Sequence, residues 1–480
     1  MQLVHRQREF FASGATRSYD FRRSQLILLR ELVNQNKDNI AAAIFKDLRR
    51  PYQISLITEG DGTLEEIDYA IENLRHWMQP EQKREEPYGT PFIYKDPRGV
   101  ALVMGPYNFP ITLSLRPVIS AMAAGNCVVL KPSELATHSS QLLYDMISRN
   151  FNEDYVAVVE GGVPETTLLL DERFDYIFYT GSVRVGRIVM SAAALHLTPV
   201  TLELGGKCPV LFTDECDIKK SVDAMLAGKF MNIGQLCMAP DYVIVLKDVK
   251  EPFIRAARRW LQENFTEHPK KSPAYARMIN AMHCHRLMHL LERTHGTVVY
   301  KSADEPDLND RFVGPYLIDC EPEDALMEGE IFGPVIPIIT VDSLNEAINF
   351  INRRERPLSA YIFTEDQKEA DQFVSNVYAG NMVVNDVLIH YYSMQLPFED
   401  ITESLDSTPL LTRSLWSKRF FVRKPNKFST SMPNLTKLGN KSPSSRIITV
   451  KPSHQSQRSL FCGVGSFKSL SSSFWNRIHR

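Results

Sequence analysis

GVALVMGPYNFPITLSLRPVISAMAAGNCVVLKPSE, residues 99–134, sets two short apolar runs, Val100 to Met104 and Cys127 to Leu130, on either side of a helix-length segment. Runs of four or five apolar residues without alternation read as strands buried on both faces. Working outward, the pattern repeats: Tyr155 to Val159, Tyr176 to Tyr179 and Val200 to Leu204 follow at helix-length spacing. Strands alternating with helices predict the α/β class, a parallel sheet covered on both faces. A second series comprises Val210 to Phe212, Val243 to Leu246, Val335 to Thr340, Ala360 to Phe363 and Met382 to Val384, with a helix Ser343 to Ile351 among them. It predicts a second α/β domain beginning near Lys207.

Upstream of Gly99 the texture is helical. Leu26, Leu29 and Val33, then Ile40, Ile44 and Leu48, recur at spacings of three, four or seven, with Pro51 as a stop. Leu64 to Met78 predicts a further helix carrying Ile67, Ala70, Ile71 and Leu74 on one face. Pro80 to Arg98 breaks that pattern, and Pro87-Tyr88-Gly89 in its middle predicts a hairpin or excursion. The expected division is therefore 1–206, with N-terminal helices and a bridging hairpin at 80–98, then 207–400, then a tail 401–480.

The tail is a different material from the body. Residues 401–480 hold 14 Lys/Arg against 2 Asp/Glu, and 17 Ser, although the whole chain of 480 residues has a formal net charge of -2. That composition is poor at building a core and predicts disorder, with Phe420 to Val422 and Leu460 to Gly465 as short apolar exceptions able to dock. The small net charge argues against nucleic acid as a partner of the body, and the tail lacks the interleaved aromatics of a nucleic-acid surface. Seven Cys without a CxxC pair argue against disulfide stapling or structural zinc and for a reducing compartment. The N-terminus offers no h-region, and no stretch approaches the ~18 apolar residues of a membrane span. The sequons at Asn264, Asn434 and Asn440 then read as chance matches.

Two constellations carry chemistry. Asn108 lies in Gly105-Pro106-Tyr107-Asn108-Phe109-Pro110, directly after a strand, where open α/β sheets place ligands and an amide can donate to an oxyanion. Glu203 ends an apolar strand before Gly205-Gly206, a costly position for a carboxylate that is neither paired nor used. Cys237 sits between a Gly turn and Pro240, where backbone N–H groups would lower a thiol pKa and face an oxyanion. Each has a plainer reading: a turn Asn, a salt-bridged core Glu, an inert buried Cys.

The second constellation suits a nucleotide. Lys131 and Glu134 follow the strand Cys127 to Leu130 and match ribose hydroxyls or a 2′-phosphate. Gly181, Ser182 and Gly186 lie where a strand turns into an alanine-rich helix, offering a helix N-terminus to a pyrophosphate; a plain strand-to-helix turn fits equally. His283, Cys284, His285 and His289 look metal-like, yet they share a helix with apolar neighbours and have no evident carboxylate partner, so no metal site is expected.

In order and in register these segments resemble the aldehyde dehydrogenase superfamily. More narrowly they resemble its class 3 branch, in which the active Cys is followed by Ala-Pro-Asp-Tyr, as Cys237 is by Met238 and then Ala239 to Tyr242. Glu330-Ile331-Phe332-Gly333-Pro334, Asn385-Asp386 and Leu396-Pro397-Phe398 fit the same branch, and the likeness covers about residues 3–398. The resemblance implies a Rossmann-like NAD(P)-binding domain beside a catalytic domain. It implies an oxidoreductase that converts medium- or long-chain aliphatic or aromatic aldehydes to acids with NAD or NADP, through a thioester on Cys237. In that reading Asn108 holds the oxyanion, Glu203 activates water, Glu330 contacts the nicotinamide ribose and Phe332 packs nearby.

A cytoplasmic homodimer without a transmembrane anchor is the implied assembly, its strands exchanged through an excursion such as Pro80 to Arg98 and through the C-terminal segment. The branch continues Leu-Pro-Phe with Gly-Gly and a Gly-rich closure, whereas this chain continues with Glu399-Asp400-Ile401-Thr402-Glu403. That departure carries the competing reading, a catalytically impaired isoform or a cofactor- or partner-binding protein.

Overall fold

The computed structural model describes residues 2–82, 92–393 and 420–423. Two parallel sheets dominate it. In the first, β1 (Val100–Met104), β2 (Cys127–Lys131), β3 (Val156–Val158), β4 (Tyr176–Thr180) and β5 (Val200–Glu203) lie in the order β3-β2-β1-β4-β5, every pair parallel. The chain starts at the centre, builds to one side and then crosses to the other. Between β1 and β4 the order reverses, and the loops that leave their carboxyl ends bound the crevice where such sheets bind ligands.

The second sheet holds eight strands: β6 (Pro209–Phe212), β7 (Tyr242–Leu246), β8 (Thr297–Lys301), β9 (Tyr316–Asp319), β10 (Val335–Val341), β11 (Ser359–Phe363), β12 (Asn381–Val384) and β13 (Phe420–Arg423). They run in the order β8-β9-β10-β7-β6-β11-β12-β13, parallel except for β8 against β9. Each sheet has its own apolar core. Ala101, Leu102, Val128, Val129 and Ile177 lie in one and Val210, Leu211, Val243, Ile244 and Ile362 in the other, all essentially without solvent contact. Two parallel-sheet α/β units are what the apolar runs predicted.

The N-terminal helices Gln2–Ala12, Tyr19–Gln35, Lys37–Leu48 and Gly62–Trp77 pack on the first core through Leu26, Leu29, Val33, Ile40, Ile44, Leu48, Ile67 and Leu74. These are the periodic positions. The excursion at 80–98 contains a two-residue antiparallel ladder, Glu81–Gln82 with Phe92–Ile93. The edge strand β8 and its neighbour β9 were not foreseen. Phe420 to Val422, expected as an apolar exception able to dock, does so: Phe420–Arg423 pairs in parallel with Asn381–Val384, and the second sheet reaches past residue 400, the boundary expected for the catalytic domain. Leu396 to Phe398, Leu460 to Gly465 and the remainder of 401–480 lie outside the described residues.

Candidate active site

Four loops from the two sheets converge. The first leaves β1 and carries Asn108, whose residue is buried. Its backbone carbonyl accepts from Arg50 Nη1 at 3.0 Å and from Asn232 Nδ2 at 3.2 Å. Where the loop enters the helix Thr112–Ala124, the N–H groups of Ile111 and Thr112 donate to Glu59 Oε2 at 2.7 and 3.2 Å. Glu59 also pairs with Arg50, both side chains fully buried, and burial lowers the Arg50 guanidinium to about 9. A carboxylate at these first helical N–H groups caps donors that the helix itself cannot satisfy.

The second loop follows β5. Glu203, at its last position, pairs in register with Thr180 and is 7% exposed. A Cβ on Gly205 would overlap the Glu330 carboxylate, so the diglycine lets the third loop approach backbone to side chain.

That third loop carries Glu330 and Phe332. Asp241 Oδ1 accepts from Ile331 N at 3.0 Å, and Lys207 Nζ donates to Asp241 Oδ2, Leu326 O and Gly329 O at 2.6, 2.7 and 3.0 Å. Arg286 Nη2 donates to Ile331 O at 2.7 Å. Phe332 takes a left-handed φ of 47° and meets Tyr107 edge-on at 5.9 Å. Burial first, then Asp241, raises the Glu330 carboxyl to about 8.

The fourth loop joins the helix Ile218–Phe230 to β7 and holds Cys237. Gly234 has φ 79°, and a Cβ there would overlap Gly333 O. Gln235 is locked from both ends: its Oε1 accepts from Ile279 N at 3.1 Å and its Nε2 donates to Arg277 O at 2.9 Å. Cys208 Sγ donates to Cys237 O at 3.3 Å, and Tyr361 OH to Met238 O at 2.7 Å.

The thiol is raised, by burial first and then by Glu330 and Glu203, while the N–H groups of Cys237 and Met238 pull the other way. The net direction is opposite to the lowering expected for Cys237. Its two N–H groups are present as expected, but desolvation and two carboxylates outweigh them. Glu203 is near enough to the Cys237 thiol to act on it electrostatically.

The nucleotide-type residues line the first sheet's carboxyl ends. Lys131 closes β2, is buried, and donates to Pro132 O at 2.8 Å with Glu134 Oε2 at 3.5 Å. Ser182 caps the helix Val183–Ala194, accepting from Val185 N at 3.4 Å. Gly186 lets that helix sit against Leu204, the residue after β5, since a Cβ would lie 2.8 Å from its Cδ2. A capped helix N-terminus, a backbone free of side chain at Gly181 and a buried ammonium fit a dinucleotide phosphate and ribose.

Of the metal-like histidines, His283 packs 5.4 Å from Tyr107 and His289 lies 3.7 Å from Glu292. Among the described residues no three His, Cys, Asp or Glu side chains are grouped to hold a metal. Asn385 turns out to be structural, its amide bonded to Thr364 N and Thr364 O at 2.9 and 2.7 Å. Arg50, Glu59, Asn232, Lys207 and Arg286 went unforeseen. Asp241, which holds Lys207 and the Ile331 N–H, lay inside the motif Ala239 to Tyr242.

Compared with known proteins, residues 4–405 match the model of the aldehyde dehydrogenase family, seven residues beyond the break placed after Phe398. The chain is 40% identical over 409 residues to the dimeric NADP-preferring aldehyde dehydrogenase of Mus musculus, covering 84% of this chain and 89% of that one. It is 37% identical over 407 residues to the 4,4'-diaponeurosporen-aldehyde dehydrogenase of Staphylococcus aureus, covering 84% and 88%. Among solved structures, substrate-bound Staphylococcus aureus AldH aligns with a TM-score of 0.81 at 36% identity, covering 84% of this chain and 88% of that one.

Proposed function

The chain belongs to the aldehyde dehydrogenase family, and from that membership we propose that Cys237, Glu203 and Asn108 carry its chemistry. It is an oxidoreductase that converts aldehydes to carboxylic acids with NAD or NADP. The observation that supports the residue roles is the convergence of the Asn108 loop, the Glu203 strand end and the Cys237 turn, with the Cys237 thiol electrostatically coupled to Glu203.

Once its proton is lost, the Cys237 thiolate adds to the aldehyde carbon, and the former carbonyl oxygen becomes an oxyanion. The Asn108 amide and the Cys237 N–H donate to it. When bound, the dinucleotide supplies the acceptor for the hydride that leaves this carbon, so that a thioester remains on Cys237. Glu203 takes a proton from water as the water oxygen attacks the thioester carbon; the C–S bond breaks, the acid departs and the thiolate returns. Lys131, Glu134, Gly181, Ser182 and Gly186 would hold the dinucleotide's ribose and pyrophosphate, and Glu330 and Phe332 its nicotinamide end. Lys131 suits the 2′-phosphate of NADP and Glu134 the free hydroxyls of NAD.

We place the boundary between the cofactor-binding and catalytic domains near 206/207, between β5 of one sheet and β6 of the other. A homodimer is supported by the relative named dimeric. Six described cysteines are free thiols, which suits a cytoplasmic setting, and no described helix is long and apolar enough to cross a membrane. Medium- or long-chain aliphatic and aromatic aldehydes are the proposed substrates.

The test is purified full-length protein with hexanal and NAD+ or NADP+. Reduced cofactor and hexanoic acid should form in equal amounts and only when aldehyde is present. Saturable cofactor binding without acid formation would instead support the impaired reading.

A further inference from the structure

One amide nitrogen bridges the two loops that supply the oxyanion donors. Asn232 Nδ2 donates to Asn108 O at 3.2 Å and to Gln235 O at 3.1 Å. Both partners are carbonyl oxygens, so only the NH2 end of the amide can face them. Asn232, Gln235 and Asn108 are all buried, and Cys237 is two residues beyond Gln235.

Arg50 grips the same Asn108 carbonyl from the other side at 3.0 Å, with its guanidinium 4.3 Å over the ring of Phe109. Its partner Glu59 holds the end of the loop through Ile111 N and Thr112 N. The loop is thus fixed at Asn108, at Phe109 and at its junction with the helix. All the bonds go to backbone groups, which leaves the Asn108 side-chain amide to donate elsewhere.

The arrangement matters because the two donors come from different sheets: Asn108 follows β1 of the first, and Cys237 precedes β7 of the second. Neither sheet's internal register sets their separation. An oxyanion needs both donors at about 3 Å, and a displacement of about 1 Å costs on the order of 100-fold in rate.

We infer that Asn232 and the buried Arg50–Glu59 pair are positioning residues that set the spacing between the Asn108 amide and the Cys237 N–H. The inference rests on the reading of those two groups as the oxyanion donors. A buried ion pair is a weak source of stability compared with apolar packing, and here both members reach the backbone of the donor loop.

The test compares full-length wild type, Asn232→Ala, Arg50→Lys and Arg50→Met with hexanal and NAD+. Rates are expressed per site that binds NAD+, counted by equilibrium titration. Asn232→Ala should lower kcat/KM for hexanal roughly 100-fold per titrated site while the KM for NAD+ stays within about twofold. Arg50→Lys, which keeps the charge and a donor, should retain far more activity than Arg50→Met. Should Arg50→Met fail to fold, Asn232→Ala carries the test by itself.

A merely structural role would lower the number of NAD+-binding sites and leave the rate per site unchanged; that result, or an Asn232→Ala indistinguishable from wild type, overturns the inference alone. A wild type without aldehyde-dependent cofactor reduction overturns the functional reading beneath it, and the inference with it.

Discussion

Burial and the carboxylates Glu330 and Glu203 raise the Cys237 thiol, so the side chain at neutral pH is the thiol and not the thiolate. Alkylation requires the thiolate, and a raised pKa moves the thiolate population to higher pH. The rate of iodoacetamide alkylation of Cys237 in the cofactor-free protein should therefore still be climbing at pH 9, the ordinary thiol value. A plateau reached by about pH 8 would contradict it.

At this scale Asn108 and Glu203 drew notice at Gly- or Pro-marked carboxyl ends of apolar strands, and Cys237 between a Gly turn and Pro240. The groups that hold them did not. Arg49-Arg50-Pro51 reads as a helix stop, and nothing local to Arg50 announces a partner nine residues on or a carbonyl at Asn108. The sign of the thiol shift was also illegible, because it depends on Glu330, 93 positions away in the chain.

Elements pose a different question, which is where backbone must come close to backbone. Gly14 and Gly234 share φ 79°, but a Cβ on Gly14 meets nothing within 4 Å, whereas one on Gly234 overlaps Gly333 O. Gly14→Ala should cost only the left-handed backbone term, about 1–2 kcal/mol in urea denaturation. Gly234→Ala should cost more, with a larger fall in midpoint, because the Cys237 turn and the Phe332 loop must separate. Equal losses would show that this approach is not tight.

The strands of both sheet centres were readable since parallel strands buried on both faces leave uninterrupted apolar runs. Thr297–Lys301 was missed for the opposite reason: it is an edge strand with mostly exposed positions. Tyr316–Asp319 was missed because only Leu317 and Ile318 are buried. The loop that carries Glu330 is held by Lys207, Asp241 and Arg286, three side chains brought together from separate elements, so its path belongs to tertiary structure.

For the whole molecule, the fold class followed from one periodicity: β-length apolar runs at helix-length spacing, repeated twice. What that periodicity did not contain was the end of the second sheet. Phe420–Arg423 adds to β12 as a parallel strand, although the surrounding composition is basic and serine-rich. A four-residue apolar fragment carries too little pattern to be placed from sequence.

The central claim is that two sheets bring Asn108, Glu203 and Cys237 together to make and hydrolyse a thioester. Its most direct test is mass spectrometry of the Glu203→Gln variant mixed with hexanal and NAD+. A hexanoyl group on the peptide that contains Cys237, with a burst of reduced cofactor close to one equivalent per site followed by slow turnover, is the expected result. Undiminished steady turnover without an adduct, or a hexanoyl group on a different cysteine, would contradict the account.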